Sequence, residues 1–162
     1  NLAGFVDLDG NNQYNPENGD YPAIYGDACL LNIFHQSPYA NATTSIETHQ
    51  YYFMFDCLND EDLENTIFTR TDNFSRTQNL VDLYAGNYVD FDIGNYADDY
   101  VGSNVELGIV YSYNADMNDE TNAGNAGFGT KIPAMGMMTL QGVKMNNTGV
   151  DRPFGGWSWR VN

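Results

Sequence analysis

Oxygen-bearing side chains alternate along one short stretch near the start of the chain, Asp7-x-Asp9-x-Asn11-x-Gln13. Oxygens at positions 1, 3 and 5 of a tight loop can converge on one hard cation. The backbone carbonyl of position 7, here Gln13, is the usual next ligand of such a calcium loop. Gly10 gives the backbone freedom to turn. An EF-hand loop carries Gly at its sixth position and a bidentate Glu at its twelfth. Those places hold Asn12 and Asn18 here, so the stretch is not an EF-hand, and Asp20 is the candidate for the closing carboxylate. Closely spaced carboxylates need a counter-charge, which argues for Ca2+. The alternative is an Asx-rich turn that holds no metal.

A second acidic cluster runs from Asp90 to Tyr100 and contains Asp90, Asp92, Asp98 and Asp99. Asp90 and Asp92 would share one side of an extended segment, with Asp98 or Asp99 folding back from the loop. Hard oxygen ligands favour Ca2+ over zinc. A charged, solvated face competes equally for this cluster. The loop Asp116–Glu120 is a weaker third candidate.

Paired carboxylates also serve glycoside hydrolysis, at separations of roughly 5–10 Å. With 22 Asp plus Glu, some pair in this chain will always meet that requirement, so the signal has no specificity. His35 and His49 have no Ser or Cys nucleophile motif beside them, and each reads as an ordinary strand or loop residue. Gly102-Ser103-Asn104 departs from the Gly-x-Ser-x-Gly elbow, and no phosphate loop or dinucleotide fingerprint is present. The chain is therefore expected not to be an enzyme. Tyr21, Tyr25, Tyr39, Tyr96, Trp157 and Trp159 could form a sugar-stacking platform, with core packing as the alternative. Trp157 and Trp159 share one face of a short strand, as core or as interface anchors. Asn41, Asn73 and Asn146 each begin an Asn-x-Ser/Thr sequon.

Composition narrows the partners. Six Lys plus Arg against 22 Asp plus Glu leave a formal charge of −16 over 162 residues. Phosphate binding needs Lys and Arg to displace counterions, so nucleic acid is excluded as an expected partner. No amphipathic basic stretch suits a membrane surface, and no apolar run is long enough to insert. The acids repel one another, and bound divalent cations are the simplest general remedy. For most of the acids a solvated surface is explanation enough. Cys29 and Cys57 could form one disulfide in an exported protein or remain two packed thiols.

The elements that must position these groups read as strands and turns. Abundant Asn, Asp, Gly, Thr and Tyr, with no long strings of helix formers, argue for an all-β chain. Residues 7–27 read as loop, and Ala28–Phe34 as a buried strand. Residues 44–56 form the longest strand candidate, and Asn59–Glu64 one helical turn or a loop. Ile67–Phe74, Asn79–Tyr84, Leu107–Tyr113 and Trp157–Val161 read as strands. Asn87–Asp92 and Pro133–Met145 read as extended stretches, with a long Asn/Gly/Asp loop at Asp116–Gly129. The pattern predicts a single domain over 1–162, with residues 1–27 as a calcium-loop-like N-terminal segment. Its expected architecture is an antiparallel β-sandwich or jelly roll with long Asp/Asn/Gly-rich loops.

Five segments carry a family likeness. They are Asp9-Gly10-Asn11 through Tyr21-Pro22, Leu63–Phe68, Asp92–Gly102, Leu107–Asn114, and Ile132–Gly136 with Leu140-Gln141-Gly142. The Asp92–Gly102 stretch is the most specific. Together they resemble a module of large secreted and cell-surface proteins of Bacteroidetes exported by the type IX secretion route. The resemblance implies an extracellular, largely β module with no established catalytic role. Family members are usually far longer and end in a sorting domain, so this chain is expected to be a fragment, a processed subunit or a short relative.

The expected function is an extracellular structural or assembly subunit stabilised by calcium, as in a surface filament, adhesin stalk or surface layer. Its partners would be copies of itself or other surface proteins. Apolar ends (Leu2, Phe5 and Val6; Trp157, Trp159 and Val161) suit strand addition to a neighbour. A carbohydrate-binding module, with glycans as partners, is the alternative from another class. A small glycoside hydrolase is the weakest.

Overall fold

The computed structural model describes residues 4–36, 45–77, 79–80, 84–122 and 124–142. They form a mostly β structure of three small antiparallel sheets and one short helix. The chain divides into two compact units, Asn1–Leu83 and Tyr84–Asn162.

In the first unit, strands β1 (Phe5–Val6) and β2 (Tyr21–Pro22) pair antiparallel, Phe5 opposite Pro22 and Val6 opposite Tyr21. The Ala23 N–H bonds the Gly4 carbonyl at 3.0 Å and extends the clamp. The acidic loop is thus held at both ends. Loop composition from 7 to 27 conceals this two-residue ladder and a 3-10 turn at Pro16–Asn18. Proline at the start of that turn and Gly19 in the left-handed region (φ 99°) at its end are the local reasons for it.

The larger sheet of this unit has the order β3-β4-β5, with β3 (Ala28–Gln36), β4 (Ile46–Met54) and β5 (Phe68–Ser75). All three follow the strands read from sequence to within two residues, but β3 is not the buried strand read there: Leu30, Ile33 and Phe34 are exposed, because β4 covers only one of its edges and no described element packs on them. Phe53 lies opposite Phe68, and their rings stack at 5.4 Å. Phe55 and Tyr25 close around the same pair. Such cross-strand aromatic pairs pin register. Helix α1 (Glu61–Glu64) is one turn, capped by the Asp60 carboxylate accepting from the Leu63 N–H at 3.2 Å. The acidic first turn suits the positive end of the helix.

The middle strand carries an ion-paired group. Arg76 Nη2 donates to Glu47 Oε1 at 2.5 Å, and His49 Nε2 lies 2.8 Å from the same oxygen. Arg76 first, then His49, holds the Glu47 carboxyl down to about 2. A depressed carboxyl stabilises fully above its unfolded value and loses that contribution as pH falls through the folded one. Glu47→Gln should therefore lower the melting temperature at pH 7. The gap from wild type should close between about pH 5 and pH 2. Thermal melts across that range check this, and a gap that widens in acid would contradict it.

The second unit holds a meander, β6-β7-β8, of β6 (Asp99–Asn104), β7 (Ile109–Asn114) and β8 (Met135–Met138). Leu107 and Gly108 belong to the β6–β7 turn rather than the strand read there, because Gly108 takes φ 63°. The Leu107 N–H also bonds Asn104 Oδ1 at 3.1 Å. β6 itself is absent from the strands read in sequence. Asp, Gly, Ser and Asn are poor strand formers, and pairing with β7 overrides that preference. Asn87–Asp92 pairs with no described strand, Asn79, Leu80 and Tyr84 are irregular, and the rest of Asn79–Tyr84 lies outside the described residues. Among the described residues of Pro133–Met145 only Met135–Met138 form a strand, and Trp157–Val161 also lies outside the described residues.

Candidate metal centre

The β1–β2 clamp makes the acidic loop a closed turn. Asp7, Asp9 and Asp20 each offer a carboxylate oxygen, all within 4.8 Å of one another. The result is an acidic cluster that could hold a metal ion. No other group of three Asp, Glu, His or Cys side chains among the described residues meets this spacing.

Local backbone bonds set the loop. Asp7 Oδ1 accepts from the N–H of Gly10 at 2.8 Å, and Oδ2 from that of Asn12 at 2.7 Å. Asn12 sits at φ 60°, the left-handed turn at the position that glycine fills in an EF-hand. Asparagine tolerates that region better than other non-glycine residues. The Asn12 N–H, followed by those of Gly10 and Asn11, holds the Asp7 carboxyl below its ordinary range against partial burial. Asp9 Oδ2 accepts from the amides of Asn11 at 2.9 Å and Asn18 at 3.0 Å. Asn11 Oδ1 accepts from the Gln13 N–H at 2.6 Å.

Asp20 differs from its two partners in being only 4% exposed. Its oxygens accept from the N–H groups of Leu8 and Asn15, each at 2.9 Å. The carboxylate therefore ties the far end of the loop to the near end. Asn15, which sequence spacing did not single out, carries a further candidate oxygen in the same loop. Its Oδ1 is buried and accepts no hydrogen bond from any described residue. Counting Asp7 as position 1, Asn15 stands at position 9, a recognised ligand place in calcium loops. Each carboxylate oxygen keeps further lone-pair capacity after one N–H bond, so the internal bonds and a cation are compatible.

The second acidic stretch is arranged differently. Asp99 Oδ2 accepts from the Ile93 N–H at 2.7 Å, and Asp98 Oδ1 from the Asn95 amide at 2.9 Å. Asp90 lies 3.5 Å from the Tyr88 hydroxyl, and Asp92 is exposed. No three of these four carboxylates come together as Asp7, Asp9 and Asp20 do. In the third loop, Asp119 is 1% exposed and accepts from the N–H groups of Asn95 and Phe128. Nothing in its local sequence separates it from Asp116.

Cys29 lies on β3 and Cys57 beyond β4, both as free thiols. Asn73 is on β5, where its Oδ1 accepts from the Thr48 hydroxyl at 2.8 Å. His35 hydrogen-bonds Ser45, and His49 pairs with Glu47. One face of Tyr25 is taken by the Arg70 guanidinium, 5.4 Å from the ring centre. Tyr21 and Tyr96 are exposed. Tyr39, Asn41, Asn146, Trp157 and Trp159 lie outside the described residues. Among the described residues no helix is long and apolar enough to cross a membrane. No protein-family model, no curated protein and no solved structure matches the chain.

Proposed function

We propose that this chain is an extracellular structural subunit that assembles through its sheets and is stabilised by calcium at the Asp7–Asp9–Asp20 loop. The observation that carries the assembly reading is the open state of its strands. Among the described residues only Ile93 and Val110 are apolar and buried, while Leu30, Ile33 and Phe34 on β3 stay exposed. β3 is nine residues long and stands at a sheet edge, paired with β4 alone among the described strands. A long apolar edge is the usual acceptor of an added strand. A neighbouring copy could complete a sandwich or jelly roll that the described residues leave open. The likeness to secreted Bacteroidetes modules supports the same reading, as does the −16 charge, which calcium would offset.

Electron microscopy and sedimentation in calcium and in chelator test the proposal. Ordered oligomers or filaments are expected in calcium, and Ile33→Lys on the edge strand should disperse them. Monomers under both conditions would overturn the assembly reading. Binding on a glycan array would favour the carbohydrate-binding alternative, for which exposed Tyr21 and Tyr96 are the described candidates.

A further inference from the structure

The first residue pair of the β6–β7 ladder holds an unbalanced arrangement of oxygens. Asp99 stands directly opposite Asn114. Beside them the Ala115 N–H bonds the Asp98 carbonyl at 2.9 Å. That bond makes Asp99 and Asn114 a non-hydrogen-bonded pair, with side chains on one face and Cβ atoms roughly 4.5–5.5 Å apart. Asn114 is 8% exposed. Its Oδ1 and the Oδ1 of Asp99 are both buried, and neither accepts a hydrogen bond from any described residue. Leaving a buried acceptor unmet is costly. Two adjacent ones therefore need a common explanation.

The surrounding bonds fix both groups. Asp99 Oδ2 is held by the Ile93 N–H, and Asn114 Nδ2 donates to the Asp116 carbonyl at 3.4 Å. Turning the amide over would give up that bond and aim the Asn114 oxygen at the Asp116 carbonyl oxygen. We propose that Asp99 Oδ1 and Asn114 Oδ1 are ligands of a second calcium ion, belonging to the Tyr84–Asn162 unit and independent of the N-terminal loop. A carboxylate and a carboxamide oxygen are the hard donors calcium takes, with water completing its shell. Burial first, then the charges of Asp98, Asp119 and Asp92, pushes the Asp99 carboxyl up. A bound cation relieves that repulsion. An open depression of about 600 Å³, lined in part by Tyr113, Asn114, Asp116 and Met117, lies beside Asn114.

Calcium stoichiometry of the full chain by equilibrium dialysis tests this. Wild type should bind two ions, and the Asp7→Asn/Asp9→Asn double variant one. Adding Asn114→Ala to that double variant should weaken the remaining site at least about tenfold, the scale of losing one good ligand. Asn114→Asp, which keeps the shape and adds charge, should tighten it and raise the melting temperature in calcium. The proposal is overturned if the double variant binds nothing, which leaves the N-terminal site standing. It is overturned equally if Asn114→Asp gives a melt that depends on pH but not on calcium, since a shared proton then bridges the pair. A single ion bound alike by wild type and by the double variant would uphold this site and sink the N-terminal one.

Discussion

Chelation should lower the melting temperature of the wild-type chain by about 5–10 °C, and Asp7→Asn or Asp9→Asn should remove the N-terminal loop's share of that difference. A ligand that binds only the native state at roughly a hundred times its Kd adds about 2.7 kcal/mol. For a chain of this size, about 1 kcal/mol moves the midpoint by about 2–4 °C. Asp9 is exposed and makes only side-chain amide and Asn11 N–H contacts, so its neutral isostere costs little without the ion. Asp20→Ala behaves otherwise. It strips the Leu8 and Asn15 N–H groups of their acceptor in a buried place. At about 1–3 kcal/mol for each orphaned donor, the loss persists in chelator. Circular-dichroism melts of the three variants with and without calcium separate the ion's contribution from the loop's own bonding. A wild-type curve indifferent to chelator would refute calcium stabilisation.

Asp119→Ala should be among the most damaging single substitutions in the second unit, with a midpoint drop of about 10 °C. Its carboxylate bridges the backbone of Asn95, at 3.0 Å, and of Phe128, at 2.7 Å. Its own N–H and carbonyl exchange bonds with Gly129, both at 2.9 Å. Three segments distant in sequence meet on one side chain. Removing it leaves two N–H donors unmet, about 2–6 kcal/mol in total. Gly94→Ala attacks the same point from the other side. Gly94 has φ 52°, and a Cβ there would stand 2.0 Å from Asp119 Oδ2. The carboxylate must move, and its bonds break. Gly124→Ala is the control, because φ is 92° there too but nothing lies within 4 Å of a Cβ. It should cost only left-handed strain, roughly 1–2 kcal/mol. If Gly94→Ala melted no lower than Gly124→Ala, the account of Asp119 would fail.

Cost at Gly94 shows where local reading stops. Nothing around Asp119 in sequence distinguishes it from Asp116 or Glu120, yet one is buried and the others are exposed. The same holds for Asn15, whose oxygen became notable only once the loop closed.

Sequence by itself determined the β-rich character and the strands β3, β4, β5 and β7, and left Asn59–Glu64 open between a helical turn and a loop. It also marked Asp7 and Asp9 as converging, since alternate oxygens around a turn depend on bonds spanning five residues or fewer, and offered Asp20 as the closing carboxylate. Tertiary structure alone decided that Asp20 is the buried member, because β1–β2 pairing brings it under Leu8. It decided that β6 is a strand despite its composition, and that Asp99 faces Asn114 rather than Asp90. Those outcomes depend on the register of chain segments far apart in sequence. Residue type and spacing encode which bonds a segment can make, while pairing with a distant partner selects which of them form.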